Sequence, residues 1–142
     1  MNREILFRAK CSGLWRYGNY VHLDKKPIHD CYNNEYKDFI VVDEVDGGYY
    51  YPITELSSIE QYTGLKDKNG KKIFEGDIVH IQSDGYDLSE VEVDIHRIVS
   101  FYDGAICLSV GDWLHVPIGE YIHGLEDWDI VGNVIDTPEL MK

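Results

Sequence analysis

A chain of 142 residues with 44% hydrophobic and 13% aromatic content has the apolar material for a folded core, which argues against intrinsic disorder. The net charge of −13 is lopsided: from Ile73 onward Arg97 and Lys142 face fifteen acids, a balance that repels a phosphate backbone and argues against direct nucleic-acid binding by that half. Cys11, Cys31 and Cys107 are odd in number and widely spaced, which suits a reducing compartment better than a disulfide framework, so a cytoplasmic location is expected.

No apolar signal-peptide core and no run of eighteen apolar residues is visible, so neither export nor membrane insertion is expected. Ile5 to Lys10 reads as a first strand. Trp15 to Leu23 reads as two further strand-like runs around the turn-compatible pair Gly18-Asn19. Residues 24 to 38, with Pro27, Asp30 and Asn33-Asn34, read as a loop or one short helical turn over Glu35 to Asp38. Phe39 to Val45 returns to β-branched residues, and Asp46-Gly47-Gly48 turns the chain into Tyr49-Tyr50-Tyr51. Alternation sends Tyr49 and Tyr51 to one face and Tyr50 to the other; packing of their rings between the two halves is favoured over an aromatic binding surface. Pro52 to Ser58 is expected to hold one helical turn with Thr54 as its N-cap. No Ser/Gly-rich linker separates the halves, so they are expected to pack as one unit.

The richest stretch is Gln61 to Val79, where turn signals crowd between apolar runs. Asn69-Gly70 is the dipeptide suited to a two-residue hairpin turn with positive φ at both positions, which makes Lys66 to Lys72 a hairpin tip. Gly76-Asp77 supplies a second turn, the carboxylate accepting from nearby backbone N–H groups, before the strand Ile78 to Ile81. Gly64, Asn69, Gly70, Gly76 and Asp77 therefore read as determinants of turn geometry and register rather than as ligand contacts. Farther on, Val91, Val93 and Ile95 alternate with Glu90, Glu92 and Asp94 as a strand with one wet face. Continued alternation would turn Arg97 inward, so a bulge or bend is expected at His96-Arg97. Asp103-Gly104 turns the chain into Ala105 to Val110, Trp113 to Val116 adds a short strand or bridge, and Tyr121 to Asp129 is an acidic loop or helical turn. Trp128 to Ile135 is apolar on both parities around Gly132, as in a buried strand with a glycine at a tight bend.

Taken together, Arg3 with Phe7-Arg8-Ala9, Trp15 with Tyr17-Gly18, Gln61 to Val79, Val131-Gly132-Asn133-Val134 and Pro138-Glu139-Leu140 resemble the YopX-type proteins of bacteriophages and prophages. The resemblance spans nearly the whole chain, with the central motif its most specific part. It implies a mainly β protein with an SH3-like barrel, a tendency to form homo-oligomers, and no established biochemical activity. It transfers no catalytic residue.

The residues themselves carry no recognised chemistry. Asp67-Lys68-Asn69-Gly70 opens like a calcium loop, but Lys71 and Lys72 fall where a ligand and the glycine belong, and Ile78 where the bidentate glutamate belongs. His22, Asp24, His29, Asp30 and Cys31 are the densest potential metal ligands but match no zinc spacing, and His115 with His123 is weaker still. His80 and His96 fall in strands, where hydrogen-bonded structural roles are expected. There is no Gly-x-Ser-x-Gly elbow, no cysteine placed beside a histidine in an activating pattern, and no Walker or dinucleotide glycine pattern. Cys107 reads as an inert buried thiol.

The sequence thus predicts an all-β protein, mainly β with short helical turns, in which an N-terminal β-hairpin lobe (residues 1–58) packs on a C-terminal SH3-like small barrel (residues 59–142). Gly64, Asn69, Gly70, Gly76, Asp77, Gly132 and Asn133 form its structural motif; no catalytic, cofactor-binding or metal residue is assigned. The expected function is that of a non-enzymatic, self-assembling binding protein, a homo-oligomer with a host protein as a further partner. An acidic mimic of nucleic acid that occupies a host DNA- or RNA-binding protein is the alternative, and a small hydrolase using His and carboxylates is the weakest reading.

Overall fold

The computed structural model describes residues 4–23, 36–42, 48–83, 93–110, 114–117 and 128–141. They form eleven strands and one short 3-10 helix, Pro138–Met141, so the chain is all-β as expected. The strands are β1 (Phe7–Cys11), β2 (Leu14–His22), β3 (Asp38–Val42), β4 (Tyr49–Pro52), β5 (Glu55–Lys66), β6 (Lys72–Phe74), β7 (Asp77–Ser83), β8 (Val93–Tyr102), β9 (Ala105–Val110), β10 (Leu114–Pro117) and β11 (Trp128–Asn133). The chain divides into two compact units, Met1–Tyr62 and Thr63–Lys142.

In the first unit the strand order is β4-β3-β2-β1-β5. A tight turn at Ser12-Gly13, with φ of 52° and 81°, joins β1 to β2, and Cys11 pairs directly with Leu14. Positive φ at both loop positions is the turn that matches strand twist. β2 is one unbroken strand, not two runs broken at Gly18-Asn19: Gly18 pairs with Phe7 and Asn19 with Val41. Gly18 is glycine because β3 crosses too close for a side chain; a Cβ there would collide with the Val41 carbonyl and lie 3.1 Å from Ile40 Cγ2. The expected helical turn over Pro52 to Ser58 is also absent, since β5 begins at Glu55. Thr54 caps no helix: its hydroxyl accepts from Ser12 N at 3.0 Å and donates to Lys10 O at 3.2 Å. Ser58 fills the irregularity between β1 and β5, accepting from Lys10 N at 2.7 Å and donating to Glu55 O.

Ala9, Cys11, Ile40 and Ile53 form the core of this unit, flanked by Phe7, Tyr20, Val42, Tyr51 and Ile59. On the opposite parity Arg8 forms a buried ion pair with Glu60, Nε donating to Oε1 at 3.0 Å. Trp15 covers the pair, with Arg8 Cζ 4.8 Å and Lys10 Nζ 4.9 Å from its ring centroid. Tyr49 and Tyr50 are 53% and 43% exposed, whereas Tyr51 is half-buried against the core of this unit.

In the second unit β10-β9-β8-β7-β11 form a five-stranded antiparallel sheet over a core of Ile73, Val79, Ile81, Val99, Leu108 and Trp128. Burial of each such side chain contributes about 1.5–3 kcal/mol. The bulge expected at His96-Arg97 does not occur; β8 pairs in unbroken register with β7 from Val93 to Ile98. Arg97 shares the face of Val79 and stays half-buried by folding back, Nη1 donating to His96 O at 2.8 Å. Asp103-Gly104, with φ of 51° and 78°, makes the two-residue turn from β8 to β9. No helix among the described residues is long and apolar enough to cross a membrane.

Candidate functional site

The structure gathers the residues of the central motif at the two ends of β11. At one end Asp77 pairs with Asn133 and Ile78 with Gly132, while Val134 N donates to Gly76 O at 2.9 Å. Gly76 has φ of 86°, and the buried Asp77 carboxylate accepts from Phe74 N at 2.8 Å. Asn133 Oδ1 accepts from the backbone of Ile135 and Asp136, and Asn133 N donates to Thr137 Oγ1 at 3.0 Å. This turn lays Thr137 and Leu140 against Gly132, where a Cβ would collide with the Thr137 hydroxyl and come within 2.9 Å of Leu140 Cδ1.

At the other end the hairpin tip differs from the expected two-residue turn. Only Gly70 has positive φ, at 80°, and the loop is Lys68-Asn69-Gly70, closed by Asp67 N to Lys71 O at 2.8 Å and Gly70 N to Asp67 O at 3.0 Å. That is the three-residue hairpin with a left-handed third position. Asp67 imposes it: its buried Oδ1 accepts from Asn69 N and Lys71 N, both at 2.9 Å. Its Oδ2 accepts from Ile130 N of β11 at 3.2 Å. Lys68 N to Trp128 O at 3.0 Å and Asn69 Nδ2 to Asp129 Oδ1 at 3.0 Å tie the same turn to β11. Burial opposes the charge on Asp67, but the N–H groups of Lys71, Ile130 and Asn69, with the Lys71 charge, outweigh it and hold the carboxyl below its ordinary pKa. Gly64, with φ of 87°, bends β5 beside Thr63, whose hydroxyl donates to Ile73 O at 2.7 Å and accepts from Leu65 N at 3.2 Å.

Two arrangements in the first unit have chemical potential that the sequence motifs did not signal. Tyr20 and His22 on β2 both address Asp38 on β3: the tyrosine hydroxyl donates to Asp38 Oδ1 at 2.5 Å, and His22 Nδ1 lies 2.8 Å from the same oxygen. Burial works against the Asp38 charge, yet the bonds from Tyr20 and His22, with the charges of His22 and Lys37, lower its pKa; the bond to Asp38 raises that of Tyr20. An aspartate fixing an imidazole is the orienting half of an acid–base pair.

The second arrangement is a cavity of about 290 Å³ walled by Leu14, Tyr51 and Pro52 with Ser12, Tyr36 and Thr54. Arg16 enters it with its guanidinium Cζ 4.4 Å from the Tyr51 ring centroid. Cys11 also lines it; burial raises its thiol pKa more than Arg16 lowers it, which keeps the sulfur protonated. His22 and Asp38 do not line this cavity.

Of the metal candidates, Asp24, His29, Asp30, Cys31 and His123 lie outside the described residues, as do Asp46, Gly47, Val91 and Trp113; His115 falls in β10. No group of three His, Cys, Asp or Glu among the described residues is placed to hold a metal ion. His80 and His96 are cross-strand partners with ring centroids 5.4 Å apart, and His96 Nδ1 lies 3.1 Å from Leu140 O. Cys11 and Cys107 are buried free thiols.

The sequence profile described as YopX protein matches residues 7–142. No curated protein matches the chain. Among solved structures, the crystal structure of protein EF1440 from Enterococcus faecalis is similar at a TM-score of 0.51 and 23% identity, over 99% of this chain and 100% of that one. At that identity the likeness speaks to fold alone.

Proposed function

The chain belongs to the YopX family, and from that footing we propose that it is a phage- or prophage-type accessory protein that acts by binding, through self-assembly, without a catalytic step. The observation that carries this reading is β4. Among the described residues it is the terminal strand of its sheet, and Tyr49 and Tyr50 on it stand exposed. An edge strand offers a row of backbone donors and acceptors, and the self-complementary occupant is β4 of a second copy, paired about a two-fold axis. A host protein in the cytoplasm is the further partner in this reading. The second unit supports a scaffold role, because the Asp67 carboxylate accepts from the backbone of Asn69, Lys71 and Ile130, Asp77 from Phe74 N, and Asn133 Oδ1 from Ile135 N and Asp136 N, all within the same unit. The residues of its motif then close a small SH3-like barrel rather than hold a ligand.

The acidic-mimic alternative gains nothing from Asp77, whose carboxylate is buried and bonded to Phe74 N. Size-exclusion chromatography with light scattering tests self-assembly. A dimer or higher species that Tyr49→Lys/Tyr50→Lys converts to monomer is the expected result; a wild-type chain that is monomeric throughout the micromolar range refutes it.

A further inference from the structure

We infer that the cavity of the first unit is a binding site for a small organic monocarboxylate with an apolar body, recognised by Arg16. The Arg16 Nε is buried and has no hydrogen-bond partner, whereas nearly all buried polar groups in folded proteins are satisfied. That Nε–H lacks an acceptor. Stacking of the guanidinium on Tyr51, 4.4 Å from Cζ to the ring centroid, engages the face of the group and leaves its edge to donate. The edge of a guanidinium is a planar fork matched to the two oxygens of a carboxylate.

The walls specify the rest of the ligand. Among the described residues lining the cavity Arg16 is the one charged side chain, so a single negative charge balances it. Cys11 does not supply that charge, because its buried thiol stays protonated. Leu14, Tyr51 and Pro52 present apolar surface for a hydrocarbon body, while Ser12, Tyr36 and Thr54 add polar groups. At about 290 Å³ the space lies at the small end of ligand cavities.

Benzoate is the probe, with benzamide as its uncharged counterpart and inorganic phosphate as an anion without a hydrocarbon body, each titrated by calorimetry and by amide chemical shifts. Saturable binding of benzoate is expected, at least tenfold tighter than either control, with shifts centred on Arg16 and Tyr51. Arg16→Met abolishes it and Arg16→Lys weakens it, each with an otherwise unchanged amide spectrum. Should either variant fail to fold, the wild-type comparison of benzoate with benzamide decides alone. Equal binding of benzoate and benzamide, phosphate binding as tight as benzoate, or no saturation by benzoate up to about 10 mM overturns the assignment. The assay reads the same in monomer or oligomer, so its result is separable from that for self-assembly.

Discussion

Replacement of Asp67 by alanine removes one buried carboxylate and three hydrogen bonds at once, those to Asn69 N, Lys71 N and Ile130 N. Hydrogen bonds to a charged acceptor contribute about 1.5–3 kcal/mol each where no water can substitute. Asn69 and Lys71 are exposed, so their amides rehydrate and their bonds count for about 0.5–1 kcal/mol each, whereas the half-buried Ile130 amide forfeits about 1–2 kcal/mol. The total is about 3 kcal/mol, which for a unit of this size lowers Tm by roughly 12–24 °C. Asp67→Asn retains the Oδ1 acceptor for the turn but sets an NH₂ against Ile130 N–H, so its loss falls between alanine and wild type. Thermal and urea unfolding followed by Trp128 in the core, with Trp15 and Trp113 replaced by Phe in a common background, reads both variants. An Asp67→Ala protein melting within about 2 °C of its parent, against the shift expected for a loss of this size, or Asp67→Asn melting below Asp67→Ala, refutes the role assigned to this carboxylate.

The lowered pKa of Asp67 gives the same bond a pH signature: its contribution is present above the ordinary carboxylate value of about 3.9 and is lost as pH falls through the folded value. The stability gap between wild type and Asp67→Ala therefore narrows in acid, as urea titrations at a series of pH values will show; a gap independent of pH contradicts it. Gly76→Val places a β-branched residue at φ of 86° and costs about 1–3 kcal/mol, so an unchanged Tm counts against the turn. Gly132→Ala forces Thr137 and Leu140 aside at about 1–3 kcal/mol and releases the C-terminal 3-10 turn, visible as loss of the His96 to Leu140 contact by NMR. Glu60→Gln removes the carboxylate charge that lies 3.0 Å from the buried Arg8 guanidinium; a loss approaching 3–5 kcal/mol, roughly the cost of breaking a buried pair, is expected in urea unfolding, and a loss below about 1 kcal/mol would assign the pair to the surface class.

Local signals were legible wherever the chain decides its own conformation. Asp103-Gly104 is a tight turn because two adjacent residues tolerate positive φ, and Gly76 bends the chain ahead of β7 for the same reason. At Asn69-Gly70 the same logic misassigned the turn, since Asp67, two residues earlier, captures the amides of Asn69 and Lys71 and sets a longer loop. Its Asx spacing was the available signal. Gly18-Asn19 failed differently: the glycine answers to the close passage of β3, a tertiary demand that a turn-compatible dipeptide does not reveal. Arg97 misled because alternation assigns a face but not the path of a long side chain, which here bonds its neighbour's carbonyl. The Arg16 cavity joins β1, β2, β4 and residues around them by long-range pairing, and nothing in local spacing announces it.

The central claim, that the motif residues fasten both ends of β11, is tested most directly by native-state hydrogen exchange at single-amide resolution. Ile130 and Val134, which donate to Asp67 Oδ2 and Gly76 O, are expected to be protected like core-strand amides. Asp67→Ala is expected to release Ile130 and Lys71 ahead of Val134. Rapid exchange of Ile130 and Val134 in the wild-type protein, at the rate of open loops, contradicts it.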